Sequence, residues 1–366
     1  MEHTTGRCLS LHAGYGCRHS GACCTAGWTI PIEPAAFARV RLHFGHAKSA
    51  LLFKTGLDFP EGAAAIVETR EDGACAFFES DRGRLCAIHR ELGPDALPSA
   101  CRQFPRVVVH DARGMRISFS HFCPSAAALL LSTSPRTIVP APPNVDLGGT
   151  LDGLDAREAL PPLLHPTMLM DLDAYLDWEA WAVRVLSRDD LTASRAIETI
   201  GAATRALEGW KPEGGATLSD AVWWAFDLHP LIDDVWDLEA DQRRVELVRS
   251  SVPRELMPPT VAHGVAWNRT STRVLEEFDH VVRNYLAARL FGNWIAYHGR
   301  GLQAVVEYLR VCLAVLRMEA ARHSACWSGT QPWESVVEPA IRSSDLLLVH
   351  LSDAKDLARR LSLNLR

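Results

Sequence analysis

Residues 17–24 read CRHSGACC, residues 75–106 read CAFFESDRGRLCAIHRELGPDALPSACRQFPR, and residues 118–125 read SFSHFCPS. These stretches hold Cys17, Cys23, Cys24, Cys75, Cys86, Cys101 and Cys123. With Cys8, eight of the ten cysteines fall in the first 123 of 366 residues, and only Cys312 and Cys326 occupy the rest. An even spread would put about three in the first third. Thiolate is a soft ligand for zinc, copper(I) and iron–sulfur clusters. In a reducing compartment, cysteines gathered in one region act as ligands more often than as disulfide staples. The spacing matches neither a zinc ribbon nor a ferredoxin run. From spacing alone, a metal or cluster site stands beside the alternative of free cysteines buried in a core. Gly21 and Gly27 flank the Cys23-Cys24 pair, and Pro124 follows Cys123. Such glycines let backbone approach a cofactor and aim N–H groups at sulfur.

Composition bounds the rest. Hydrophobic residues make up 48% and charged residues 22%, so the chain can bury a large core without disulfides. A formal net charge of −6 argues against a dedicated nucleic-acid binder. The 34 arginines against four lysines read as coding bias. The longest apolar runs, residues 126–131 and 346–351, are too short to cross a membrane. No signal-peptide stretch opens the sequence. The expectation is a cytoplasmic protein with neither nucleic-acid nor membrane partners. No GxGxxG or Walker A motif is present, so no nucleotide fold is visible.

Periodicity predicts a mainly α-helical protein with a small irregular α+β N-terminal cysteine domain containing a β-hairpin. Three regions follow: a cysteine domain over 1–134, a proline-rich linker over 135–167, and a helical domain over 168–366. The hairpin is RVVVHDARGMRISFS (106–120), two β-rich runs around ARG, which would bring Cys101 near Cys123. GWTIPI (27–32) reads as a strand, and residues 34–53 as a helix with Pro34 at its start. Residues 123–132 read as another helix. Seven of the 21 prolines fall in 135–166. From 168 onward, apolar residues recur at helical spacing, with breaks at 208–220 and 250–260. Leu302, Val305, Val306, Leu309, Leu313 and Leu316 form one stripe with Cys312 beside it, so Cys312, like Cys326, reads as inert. Trp178, Trp181, Trp223 and Trp224 read as core or interface residues, with an exposed aromatic groove for a protein substrate as the alternative.

The cysteine stretches resemble the zinc- or iron-chelating cysteine-cluster proteins, and most closely their larger branch, the flagellin lysine N-methylases. The resemblance rests on Cys24 with Gly27-Trp28, Cys75 with Phe77, Cys86 with Ile88, Leu92-Gly93, Cys101 with Phe104-Pro105-Arg106, and Cys123-Pro124. It covers residues 15–130. Asn284-Tyr285-Leu286 is similar to a C-terminal helix element of that branch. The chain departs from many relatives in lacking a cysteine within RHSGA, and Cys8 has no counterpart. The resemblance implies an iron–sulfur cluster, [4Fe-4S], or zinc. It also implies methyl transfer from S-adenosylmethionine to lysines of a protein such as flagellin. The alternative is a non-catalytic metal protein with a structural, sensing or partner-binding role. All seven matching cysteines are candidate ligands, more than the four that one zinc or one cluster needs.

Other residues were weighed singly. His19, His89 and His121 would either complete a mixed Cys/His site or serve as hydrogen-bonding neighbours. Arg102 and Arg106 would grip the carboxylate of a cofactor amino acid or offset thiolate charge, unless they are ordinary surface arginines. Asn284 and Tyr285 would line a cofactor pocket, or sit inside a helix bundle. No residue is assigned as catalytic.

Overall fold

The computed structural model describes residues 6–56, 59, 62–80, 83, 85–142, 153–228, 232, 236–252, 269–325 and 327–363. Cys326 and most of the 250–260 break lie outside them. The architecture is mainly α-helical, with small sheets in the first 169 residues. No described helix is long and apolar enough to cross a membrane.

The expected hairpin pairs Arg106–Asp111 with Gly114–Phe119 in the register Val108↔Ile117 and Asp111↔Gly114. The Asp111 carboxylate accepts the Arg113 N–H at 2.8 Å and closes the turn. Gly6–Leu9 lies parallel beside the second strand. Ile138–Pro140 and Leu154–Asp155 complete the two edges of this five-stranded sheet. The proline-rich stretch is therefore not a plain linker. Proline lacks the N–H that an inner strand would need, and its place on an edge strand is what that chemistry allows.

Other boundaries also move. Only Pro31–Ile32 of the 27–32 stretch is strand. The 34–53 helix stops at Phe44, because Gly45 turns to φ +81°. A short helical turn, His46–Ser49, follows, then the strand Phe53–Lys54. The helix after Cys123 runs from Pro124 to Ala127 and tightens to a 3₁₀ turn over Ala128–Leu131. Met168–Leu169 is a strand paired with Leu163–His165, and the first long helix begins at Leu172. There the Asp171 carboxylate caps the Ala174 N–H at 2.8 Å.

The helix Leu302–Ser324 runs through the bundle and packs against Ala193–Leu207, Leu238–Arg249, Asp279–Leu290 and Glu338–Asp345. Its expected stripe is buried, but so are Val311, Ala314 and Val315, so it is covered nearly all round. Cys312 is fully buried within it. Trp178 is core, its indole N–H donating to Thr204 Oγ1 at 3.0 Å. Trp223 and Trp224 instead keep 48% and 45% of their surface exposed, which corrects their reading as core.

Sheet and bundle meet through buried polar contacts. Ser118 Oγ donates to the Ala288 carbonyl at 2.6 Å, and the Trp294 indole N–H to the Val108 carbonyl at 3.2 Å. Tyr297 Oη donates to Asp111 at 2.9 Å. The centre of this seam is Asp345. It accepts the Tyr285 hydroxyl at 2.9 Å and the backbone N–H of His121, and lies 3.6 Å from Arg289. His121 in turn meets His12, Nε2 to Nε2, at 3.1 Å. Ser120 Oγ and His350 Nε2 are 2.6 Å apart. Burial raises the Asp345 carboxyl, but Arg289 and His121 overcome it and hold it at about 2. Burial, aided by the charge of Arg289, pushes His12 and His121 down, and takes His350 to about 4.

Removing Asp345 leaves a buried guanidinium uncompensated. Asp345→Ala is expected to lower the unfolding free energy by about 3–5 kcal/mol in urea titrations. The histidines are held neutral in the fold and titrate near 6.5 when unfolded, so their contribution is intact above pH 6.5 and falls as the pH drops toward 4. Each such proton steepens the loss by about 1.4 kcal/mol per pH unit. Urea midpoints measured from pH 7 to 5 are expected to fall, and His350→Gln is expected to flatten that slope.

Candidate metal centre

The cysteine pocket is assembled from four stretches. Gly21, in the left-handed conformation at φ +76°, turns the chain into the 3₁₀ turn Ala22–Cys24. The Cys75 N–H then donates to the Cys24 carbonyl at 2.7 Å and ties the second stretch to the first. Cys86 pairs with Phe78 in a two-stranded sheet and caps the helix Ala87–Leu92. Cys101 lies in the helix Ser99–Gln103, whose first residue donates both its N–H, at 3.2 Å, and its hydroxyl to Glu33 Oε1. Ile30, Ile32, Val40, Phe53, Phe77 and Ile88 form the apolar wall around Cys24 and Cys75, with Trp28 packed on its margin.

Inside this wall the thiols interact directly. Cys23 Sγ and Cys24 Sγ are 3.9 Å apart. Cys24 and Cys75 are buried in this cluster, and Cys23, Cys86 and Cys101 pack against it. Hydrogen bonding among the neighbouring sulfurs pushes the Cys24 thiol far up and holds Cys23 and Cys75 down. Cys86 falls to about 7 through the Cys24 bond, assisted by the His89 and Ile88 N–H groups and opposed by burial. The Phe77 N–H supports Cys75 in the same way. Burial and the charges of Cys86, Cys75 and Cys23 raise Cys101, so it feels the same group. Among the described residues, no three or more His, Cys, Asp or Glu are arranged as a preformed coordination sphere. The five thiols share one apolar pocket.

The remaining candidates are placed elsewhere. Cys17 is exposed, 3.9 Å from His19 Nδ1, and His19 sits 5.8 Å from the His89 ring centre to centre. Cys123 is buried in the core beneath the five-stranded sheet, 3.8 Å from Tyr15 Oη. The seven-cysteine set thus separates into five thiols together, an exposed Cys17 beside His19, and Cys123 against Tyr15. The hairpin does close the loop between Cys101 and Cys123, but each thiol enters a different core. Arg106 lies over the Tyr15 ring at 5.7 Å and within the field of Cys17. Its Nε–H and that of Arg102 are buried without a hydrogen-bond partner. Asn284 accepts from Arg136 and donates to the Leu130 and Ser132 carbonyls at 2.7 and 2.9 Å, and Tyr285 is committed to Asp345. Both are fully buried; Asn284 ties the bundle to the N-terminal region, and Tyr285 holds Asp345 within the bundle, the alternative placement inside a helix bundle. His121 belongs to the same seam.

A cleft of about 350 Å³ in the helical region is lined by Glu198, Trp236, Asp241, Arg244, Arg310 and Arg317. Its charges are satisfied internally: Arg310 forks onto Glu198 at 2.7 and 2.9 Å, and Arg317 reaches Asp241 at 2.9 Å. Sequence reasoning missed the Asp345–His121–His12 and Ser120–His350 contacts. The one signal available was a pair of polar residues, Asp345 and His350, bracketing an apolar run. No protein-family model, no curated protein and no solved structure matches the chain.

Substituting a thiol of the gathered set removes one of its five sulfur donors. Cys24→Ser, Cys86→Ser and Cys101→Ser are expected to lower bound metal per chain, measured by elemental mass spectrometry, while Cys17→Ser, Cys123→Ser and Cys312→Ser leave it unchanged. Equal metal content across all six variants contradicts the assignment.

Proposed function

We propose that this protein holds a zinc ion or an iron–sulfur cluster through thiolates drawn from Cys23, Cys24, Cys75, Cys86 and Cys101. The observation that carries the reading is the convergence of Cys23, Cys24, Cys75, Cys86 and Cys101 on one apolar pocket, with Cys23 Sγ and Cys24 Sγ 3.9 Å apart. The donor set suits the group. Sulfur is the ligand that zinc and iron–sulfur centres select, and four of the five thiols suffice for either. The Phe77, Ile88 and His89 N–H groups aimed at sulfur are the kind of outer contacts that stabilise thiolate ligands. When bound, such a centre supplies a soft Lewis acid, and a cluster also an electron reservoir. The chain's own part is to bring four stretches together, hold the thiols with backbone N–H groups, and exclude water with Trp28 and Phe77.

The resemblance of residues 15–130 to flagellin lysine N-methylases extends the reading to methyl transfer from S-adenosylmethionine onto lysines of a protein such as flagellin. That reaction needs a lysine ammonium to lose its proton and attack the methyl group in line. The unpaired Nε–H groups of Arg102 and Arg106 suit a carboxylate of the donor's methionine moiety. The alternative is a metal protein without catalysis. It is supported by the closed hydrogen bonding of Asn284 and Tyr285 and by the internal pairing of the helical cleft.

The test is anaerobic purification of the full chain, followed by iron, zinc and acid-labile sulfide analysis, then calorimetry with S-adenosylmethionine. Brown protein with iron and sulfide in equal amounts is expected for a cluster, and colourless protein with about one zinc per chain for the simple site. Chains free of both metals contradict the reading. Absence of S-adenosylmethionine binding by loaded protein leaves the non-catalytic alternative.

A further inference from the structure

The helix Leu218–Leu228 turns Val222, Ala225 and Phe226 inward, where the Phe226 ring stacks on Trp181 at 6.1 Å. Its outer face follows the helical spacing 220, 223, 224, 227 and 228 and carries Asp220, Trp223, Trp224, Asp227 and Leu228, all exposed. Two tryptophans side by side present apolar area that the fold leaves uncovered, and each is able to bury roughly 150–250 Å². Of the eleven large hydrophobic residues exposed among the described residues, five lie between 223 and 238, so the exposure is concentrated and not scattered singly. The surrounding charge has one sign. Residues 212–242 hold eight Asp or Glu and no Lys or Arg, a larger negative charge than the −6 of the whole chain. Asp220 and Asp227 interleave with the tryptophans on the face itself. Arg184, on the helix Leu172–Leu186 packed behind it, lies over the Trp181 ring at 4.3 Å.

We propose that this face docks a protein segment in which apolar side chains are interleaved with lysine or arginine. Trp223, Trp224 and Leu228 supply the apolar anchor, and tryptophan is among the residues that carry most binding energy at protein interfaces. Asp220 and Asp227 meet the cations, whose methylene stems lie along the indole faces. The same carboxylates disfavour other occupants. An anionic bilayer and a nucleic acid are both repelled. A second copy of the chain, related by a two-fold axis, would set the same patch against itself and bring like charges together. Under the methyl-transfer reading the docked segment belongs to the lysine-bearing substrate, and the docking itself needs neither the transfer nor the metal.

The experiment measures, by fluorescence anisotropy, binding of the full chain to a labelled amphipathic peptide of leucine and lysine, beside a second peptide with glutamate at every lysine position. The lysine peptide is expected to bind and the glutamate peptide to bind far more weakly. Trp223→Ser combined with Trp224→Ser is expected to raise Kd about tenfold or more. Asp227→Asn is expected to raise it about two- to threefold in low salt, with the difference from the parent chain lost in high salt. Both sites are exposed, so urea midpoints are expected to stay close to the parent's. A benzophenone group in the lysine peptide is expected to cross-link within residues 212–242. No binding of the lysine peptide, equal affinity for the glutamate peptide, unchanged affinity of the tryptophan variant, or cross-links confined to other residues overturns the proposal. Tryptophan-dependent binding to phosphatidylserine vesicles, or tryptophan-dependent dimerisation in sedimentation equilibrium, also overturns it by assigning the face to another occupant.

Discussion

The thiols of Cys23, Cys24, Cys75, Cys86 and Cys101 converge on a pocket walled by Ile30, Ile32, Phe53 and Phe77. Sulfur atoms crowded this way must share protons or share a cation, because thiolates side by side in a low-dielectric pocket repel strongly. Cys24 is driven up while Cys23, Cys75 and Cys86 are driven down. The pocket holds neighbouring groups ready to lose protons, which is the condition a soft cation exploits. The zinc ion or iron–sulfur centre proposed above would relieve that repulsion.

The pocket is one of three apolar cores in the described chain. The second lies under the five-stranded sheet and takes Cys8 and Cys123; the third is the helical bundle, with Cys312 at its centre. Sheet and bundle are joined by buried polar groups, with Asp345 receiving Tyr285, Arg289 and the His121 backbone. Trp28, four residues beyond Cys24, stacks on His350 at 4.4 Å and on Phe104 at 5.0 Å, three residues beyond Cys101. The Gly-Trp element and the turn after Cys101 therefore reach the seam as well as the pocket. A change at the thiols has a short packed route to the bundle through those rings.

Much of this was legible from residues alone, and the reasons differ by element. The hairpin at 106–120 was readable because β-branched residues flank a turn, and the long helices because apolar residues repeat at helical spacing. The gathering of Cys23, Cys24, Cys75, Cys86 and Cys101 was suggested by cysteine density and by the resemblance. Separation of Cys17 and Cys123 was not, since spacing carries no information on which core a thiol enters. The edge strands at 138–140 and 154–155 were hidden by prolines that mark a loop and an edge strand equally well. Trp223 and Trp224 misled because aromatic content is a prior for burial, and the faces of a helix decide it. Asn284 and Tyr285 were singled out by the resemblance, but their partners, Arg136 and Asp345, lie far away in sequence.

X-ray absorption at the zinc and iron edges of the chain as purified tests the central claim most directly. The account predicts a first shell made of sulfur, with distances of about 2.3 Å if the metal is zinc. A shell of oxygen and nitrogen, or an edge too weak for a metal in stoichiometric amount, contradicts it.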